Sequence, residues 1–177
     1  MKILGFIPAR SGSKELKNKN LKKFNGKPLI YHTISISKKF KTITTFVSTD
    51  SKKTLNLAKK NGVKFNYLRP KKMARDNSQV IDSVFHALKW FENKNIFFDA
   101  VMLLQPTSPI RIKKEVSEII KIFKKKRLNS IASAVEFKDM NDTLKLHRSD
   151  WKFILKKRKI SSNRQALKNN FFTIDGS

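Results

Sequence analysis

The chain has no cysteine. Disulfides and thiolate metal sites are excluded, which suits a reducing compartment. Acidic side chains are scarce: 13 Asp and Glu stand against 40 Lys and Arg, a formal charge of +27 over 177 residues. Glycine and proline number five each and gather nowhere into a linker, and no internal repeat is visible. No apolar run approaches the roughly 20 residues of a membrane span. The opening Met-Lys-Ile-Leu-Gly-Phe-Ile-Pro-Ala begins like a signal peptide, but its apolar core is too short and Arg10 follows almost at once. The expectation is a single domain over residues 1–177, cytoplasmic, with no membrane partner.

A charge of +27 raises nucleic-acid binding as a reading, since Lys and Arg on phosphates dominate that affinity. The lysines are spread over loops and helix faces, however, and form no stripe with interleaved aromatics. They read as solvated positions filled by a compositional habit, and no specific nucleic-acid partner is expected. The run Lys156-Lys-Arg-Lys159 is explained the same way rather than as a nuclear-import signal. The field would still attract a nucleoside triphosphate and an anionic sugar.

What is present alternates strand with helix. Ile3 to Ile7 is a short apolar run closed by Pro8, as a buried strand should be. Leu29, Ile30, Thr33 and Ile34 recur at helical spacing, with Pro28 expected at the first helical position. Ile43 to Asp50 reads as a strand, and Asp50 or Ser51 caps a helix that Gly62 ends. Val63 to Leu68 reads as a third strand. Asn77 or Ser78 is the expected cap of a helix with Ile81, Val84, Phe85, Leu88 and Phe91 on one face. Ala100 to Leu104 is continuously apolar and is expected to be buried on both sides. A helix with Ile112, Val116, Ile119, Ile120 and Phe123 follows, then a strand from Ser130 to Phe137. Such alternation predicts an α/β fold, three-layer and with a mainly parallel sheet. Ligands there bind beyond the carboxyl ends of the strands. The Arg10–Asn20 loop, Ser48-Thr49-Asp50, Arg69–Ser78 and Gln105–Arg111 all fall at that edge.

The first of these segments carries the clearest chemistry. Pro8-Ala9-Arg10-Ser11-Gly12-Ser13-Lys14 leads to Lys19-Asn20-Leu21. Gly12 allows close backbone approach, successive N–H groups can cradle phosphate oxygens, and Arg10, Lys14 and Lys19 add full charges. The loop is neither Gly-x-x-x-x-Gly-Lys-Ser/Thr nor Gly-x-Gly-x-x-Gly. On composition alone a lysine-rich surface loop is an equal reading.

Three further segments join it. Leu103-Leu-Gln-Pro-Thr-Ser-Pro-Ile-Arg111 places Gln105, a donor and acceptor suited to a polyol or N-acyl group, in a loop that two prolines stiffen. Leu68-Arg69-Pro70 with Asp76 offers a guanidinium for a phosphate or for Asp76 itself. Asn163-Arg164-Gln165 precedes Phe171-Phe-Thr-Ile-Asp175-Gly176.

Together with Gly26-Lys-Pro-Leu29, these segments resemble the acylneuraminate cytidylyltransferases, the CMP-sialic acid synthetases and their legionaminic and pseudaminic counterparts. The resemblance implies a nucleotide-diphospho-sugar transferase-like (Rossmann-like) fold. It implies an enzyme that joins CTP to a nine-carbon acidic sugar and releases pyrophosphate. By it, Arg10, Lys14 and Lys19 serve catalysis. Ala9, Arg10, Ser11, Gly12, Ser13, Lys19, Asn20, Arg69, Asp76 and Ser78 hold the nucleotide, while Gln105, Arg164 and Asp175 hold the sugar. His86 matches a family habit and reads as structural. Residues 138–170, with Trp151, Phe153, Ile154 and Leu155, would form an excursion packing on a second subunit, so a homodimer is expected.

Four departures matter. Glu15 stands where the family has a small or basic residue, and Val80 where it often has a hydroxyl. Asp175-Gly176, without the Arg-Pro-Asn of sialic acid enzymes, leans toward a legionaminic-type substrate. The family continues beyond the position of Ser177 with an Asp-x-Asp that holds Mg2+, and no Asp-x-Asp occurs in this sequence. The metal ligands are therefore unknown, with Asp50 as a conceivable partial substitute. A CMP-Kdo-like synthetase, a non-catalytic fragment and a basic nucleic-acid-binding protein are the alternatives.

Overall fold

A computed structural model describes residues 1–12, 16–134 and 174–175. Its centre is a parallel sheet of β1 (Ile3–Pro8), β4 (Ile43–Ser48) and β5 (Ala100–Leu103), in the order β4-β1-β5. Ile3 stands level with Ile43 and Ala100, and Phe6 with Phe46 and Leu103. A small antiparallel hairpin, β2 (Lys23–Phe24) with β3 (Lys27–Pro28), links β1 to helix α1 (Leu29–Ser37). Helices α2 (Lys52–Lys60), α3 (Val80–Glu92) and α4 (Lys113–Lys126) complete the crossovers. A last antiparallel pair joins β6 (Ser133–Ala134) to β7 (Ile174–Asp175).

The period-two alternation of β1 sorts its side chains to two faces. Ile7 packs with Ile30 and Ile34 of α1, Ala58 of α2 and Val47 of β4. Ile3 meets Val116 of α4 on that same side. Leu4 and Phe6 turn the other way, onto Phe46, Tyr67 and the Val84, Ala87 and Phe91 stripe of α3. Helices thus cover both faces, which makes the three-layer α/β arrangement. Phe46 is fully buried, with the rings of Tyr67 and Phe91 both 4.9 Å from its own.

The local signals hold at several ends. Ser51 caps α2, its hydroxyl accepting from Thr54 N at 3.2 Å. Gly62 follows α2 at φ 83, the left-handed region that glycine occupies without strain.

Other expectations are corrected. Pro28 is the residue before α1 rather than its first, with extended ψ 141, and Gln79 rather than Asn77 or Ser78 precedes α3. Ser78 instead donates its hydroxyl to the Lys72 carbonyl at 3.1 Å. Val63–Leu68 joins no ladder among the described residues. It runs extended, with Val63 and Tyr67 buried and Lys64, Asn66 and Leu68 exposed. Its apolar side chains find the core through ring packing on Phe46, without strand pairing. β5 is open on one side: Val101 and Leu103, on the face that α3 covers over β1 and β4, are 38% and 37% exposed. α3 turns Ser83, Val84, Ala87 and Phe91 inward and leaves Ile81 and Phe85 outside, because small residues let it approach the aromatic cluster closely. Only Val116 of α4 is fully buried, and Ile112 is exposed. Of the expected Ser130–Phe137 strand, Ser133–Ala134 is described as strand.

Candidate active site at the carboxyl edge of the sheet

β1 and β4 end side by side, and their exits are bonded together. Ala9 N donates to the Ser48 carbonyl at 2.9 Å, extending the ladder one step beyond Pro8. Ser11 then meets Asp50: its backbone N–H and its hydroxyl donate to the two carboxylate oxygens at 2.8 and 2.6 Å. The start of the N-terminal loop is therefore set by a residue at the mouth of the neighbouring strand. Gly12 has no heavy atom within 4 Å of where a Cβ would stand, so its backbone faces open space.

The far end of the loop is tied back as well. Asn20 is buried, and its Nδ2 donates to the Arg10 carbonyl at 3.2 Å. Lys19 opens the single 3-10 turn Lys19–Leu21 and is half-buried. Asn18, at φ 56, supplies the left-handed step into that turn. Ser13 and Lys14, two of the expected phosphate contacts, and Glu15 lie outside the described residues.

The guanidinium of Arg10 forms an ion pair with Asp76, Nη1 to Oδ1 at 2.6 Å. Asp76 therefore belongs at the site, but its partner is Arg10, not Arg69. The guanidinium of Arg69 is engaged by Ser48 rather than by Asp76. It is buried, its Nε donates to the Ser48 hydroxyl at 2.9 Å, and its Nη2 donates to the Ser48 carbonyl at 2.7 Å. Its own N–H donates to the Thr49 carbonyl at 2.7 Å. Burial pushes the Arg69 guanidinium below its ordinary range, with the nearby Tyr67 phenol and Asp50 carboxylate pulling it back up and Arg10 pushing it down. Burial likewise raises the Tyr67 phenol, offset by its bond to Ser48 and by the Arg69 charge. Tyr67 Oη also lies 2.9 Å from His86 Nδ1, which gives His86 the structural place expected of it.

Gln105 follows β5 at the same edge and is half-buried. Its carbonyl accepts from Arg111 Nη2 at 2.7 Å. Arg164 lies outside the described residues, as does the whole 138–170 segment. Asp175 is placed only as a backbone position in β7, opposite Ser133.

The edge thus gathers Ala9, Arg10, Ser11, Gly12, Asn20, Asp50, Arg69 and Asp76 into one bonded set. Sequence reasoning missed the pairings within it. An acidic residue just past a strand, opposite a Ser-Gly loop, was the available signal for the Asp50–Ser11 bond. Asp50 spends both oxygens on Ser11 and Asp76 spends one on Arg10, and among the described residues no three Asp, Glu or His side chains gather as a cation site. The residues described here do not fit a complete magnesium site.

This arrangement places a bonded, glycine-containing loop at the carboxyl edge of an α/β sheet, and comparison with known proteins supplies the family. A model of the cytidylyltransferase family matches residues 4–172, and the chain belongs to that family. It is 42% identical over 125 residues to the CMP-N,N'-diacetyllegionaminic acid synthase of Legionella pneumophila, covering 70% of this chain and 54% of that protein. It is 37% identical over 125 residues to the N-acylneuraminate cytidylyltransferase of Escherichia coli O18:K1:H7, covering 69% and 28%. The chain thus spans about half the length of the first relative and less of the second. Among solved structures, a CMP:2-keto-3-deoxy-manno-octonic acid synthetase complexed with CTP superposes with a TM-score of 0.59 at 21% identity, over 72% of this chain and 49% of that one. That likeness establishes the fold.

Proposed function

We propose that this chain carries the nucleotide-binding part of a CTP-dependent cytidylyltransferase acting on a nine-carbon acidic sugar. The observation that carries the reading is the loop from Ala9 to Asn20, pinned at both ends and lined by cations, at the carboxyl edge of a parallel sheet. The 42% identity to a legionaminic acid synthase favours a sugar of that type. In the proposed reaction the anomeric hydroxyl attacks the α-phosphorus of CTP in line. A bond from the sugar oxygen to Pα forms, the bond from Pα to the bridging oxygen breaks, the hydroxyl proton leaves, and pyrophosphate departs. Arg10, Lys14 and Lys19 would offset the charge developing on the phosphates. Backbone N–H groups beside Gly12 would cradle the triphosphate, and Gln105, Arg164 and Asp175 would place the sugar.

Magnesium, a homodimer and a cytoplasmic location belong to the same proposal. The carboxylates nearest the loop, Asp50 and Asp76, already accept from Ser11 and Arg10. Among the described residues no helix is long and apolar enough to cross a membrane. Sedimentation of the purified chain tests the dimer, and cell fractionation tests the location.

Calorimetry with CTP, with and without magnesium, tests the central reading. The chain is expected to bind CTP, and Lys19→Ala to weaken it by roughly tenfold, the size of one lost charge-assisted contact. Equal affinities would remove Lys19 from the site. The net charge of +27 favours one competing reading, a nucleic-acid binder. Affinity for random duplex is expected to be weak and to collapse with salt. A nanomolar, sequence-dependent complex at physiological salt would favour that reading instead.

A further inference from the structure

One guanidinium shapes the loop after β5. Arg111 stands two positions before α4. Its Nη2 donates to the Gln105 carbonyl at 2.7 Å, and its Nη1 donates to the Thr33 hydroxyl at 3.2 Å. Thr33 is fully buried in the middle of α1, 78 residues away in sequence. The Gln105 carbonyl also accepts from Ser108 N at 3.2 Å, closing the turn through the buried Pro106. On the strand side, Leu104 N donates to the Phe6 carbonyl at 2.9 Å and fixes the approach to Gln105. The main chain of Gln105 is therefore held on both sides. Among the described residues its amide makes one long contact, Oε1 accepting from the Thr107 hydroxyl at 3.5 Å. The other end of the bridge belongs to the nucleotide side of the molecule. α1 starts at Leu29, whose N–H donates to the Lys22 carbonyl at 2.8 Å, at the exit of the Lys19–Leu21 turn.

We propose that Arg111 is a positioning residue for sugar recognition. It locks the Gln105 loop to α1, so that the Gln105 amide keeps a fixed distance from the nucleotide held by the Arg10–Asn20 loop. The chemistry demands arginine. A planar fork reaches two acceptors on separate elements at once, whereas a lysine ammonium on a flexible stem holds no such geometry. The reaction requires the sugar hydroxyl within about 3–3.5 Å of the α-phosphorus, and small displacements of a positioning loop are costly there. The proposal rests on the reading of Gln105 as a sugar contact.

The test uses the whole chain saturated with CTP, without added magnesium, and titrates N-acetylneuraminic acid and N,N'-diacetyllegionaminic acid by calorimetry. Thr33→Val keeps the buried volume and removes the acceptor. Thr33→Ser restores it, Arg111→Lys keeps the charge without the fork, and Gln105→Ala is the reference. Thr33→Val and Arg111→Lys are each expected to weaken the sugar roughly tenfold, as loss of a hydrogen bond to a charged group implies. CTP affinity should stay within about twofold, and Thr33→Ser should bind sugar like the wild type. Unchanged sugar affinity in Thr33→Val and Arg111→Lys, beside a loss in Gln105→Ala, overturns the bridge and leaves the Gln105 reading standing. Equal losses of CTP and sugar affinity overturn it too, since they mark general damage rather than positioning. No effect of Gln105→Ala, or no sugar bound by the wild type, overturns the Gln105 reading and the proposal with it.

Discussion

The carboxylate of Asp50 accepts both the backbone N–H and the hydroxyl of Ser11, at 2.8 and 2.6 Å. Two bonds to one residue fix both its position and its orientation, and Gly12 beside it inherits that direction. Asp50 also sits at the mouth of β4, one residue before the Ser51 cap of α2, so a rigid strand-to-helix junction carries it. Its role is thus to hold the loop in a shape ready for phosphate. Asp50→Ala should weaken CTP by roughly 10- to 100-fold, the loss of hydrogen bonds to a charged acceptor being worth about 1.5–3 kcal/mol. Asp50→Asn should be milder. Its oxygen can take the Ser11 N–H and its amide can donate to the Ser11 hydroxyl. Titration calorimetry on the three proteins ranks them, and equal losses for Ala and Asn would show that the charge, not the geometry, matters.

The Arg10–Asp76 pair makes the opposite demand. A triphosphate held by Arg10 competes with a carboxylate already 2.6 Å away. The side chains are 33% and 39% exposed, so solvent screens the pair and its worth to stability is at most about 1 kcal/mol. Asp76→Asn should lower the unfolding free energy by no more than that and tighten CTP by a few-fold, because Arg10 no longer has to exchange partners. Urea denaturation and CTP calorimetry read the two effects separately. A CTP affinity reduced tenfold in Asp76→Asn would mean that Asp76 serves the nucleotide directly.

Behind the site, one glycine sets how closely α1 lies on the sheet. A Cβ at Gly5 would stand 2.5 Å from Ile43 Cγ2 and 2.9 Å from Ser37 Oγ. Both neighbours are buried, and Ser37 is bonded to Thr45 at 2.9 Å, so neither side yields cheaply. Gly5→Ala should destabilise the fold by about 1–3 kcal/mol, the usual range for overpacking. A denaturation midpoint unchanged by the substitution would mean that α1 can slide outward.

These relationships differ in how far the sequence reveals them. The short apolar run Ile3–Ile7, the strand-forming run Ile43–Ser48 and the helical spacing of Ile30, Thr33 and Ile34 report burial directly, so the α/β alternation is legible. Gly62 and Ser51 are legible for the same reason: each satisfies a local backbone need. Arg69 is different. Its burial and its bonds to Ser48 depend on where Phe46 and Tyr67 pack, and nothing local distinguishes that arginine from one facing a phosphate. Arg10 with Asp76, and Arg111 with Thr33, join residues 66 and 78 positions apart, which only the assembled sheet brings together. Phe85 misled because an apolar residue at core spacing on α3 reads the same whether the helix turns it in or out. Ser83 and Ala87, which carry little apolar signal, took the inward places instead.

The Tyr67–Arg69 couple gives the stability of this edge a pH dependence of definite sign. Burial raises the Tyr67 phenol above its ordinary value of 10.0. A group whose folded pKa is raised holds its proton more tightly folded than unfolded. Its contribution is intact below the unfolded value and is lost as pH rises through the folded one. Arg69 runs the other way, lowered from its ordinary value by burial. Its folded state gives up the proton more readily, so its contribution is gained rather than lost as pH rises. The loss from Tyr67 sets in as pH rises past its unfolded value of 10.0. Tyr67→Phe removes that titration along with the bond to His86. The variant should be less stable at neutral pH by about 1 kcal/mol, yet lose less stability over the alkaline window. The other titrating residues are the same in both proteins, so the difference between their urea midpoints reads Tyr67 together with its coupling to Arg69. Parallel midpoint curves from pH 8 to pH 11 would mean that the phenol keeps its ordinary proton affinity in the folded chain, and that the hydrogen-bonded pair of Tyr67 and His86 stays in contact with water.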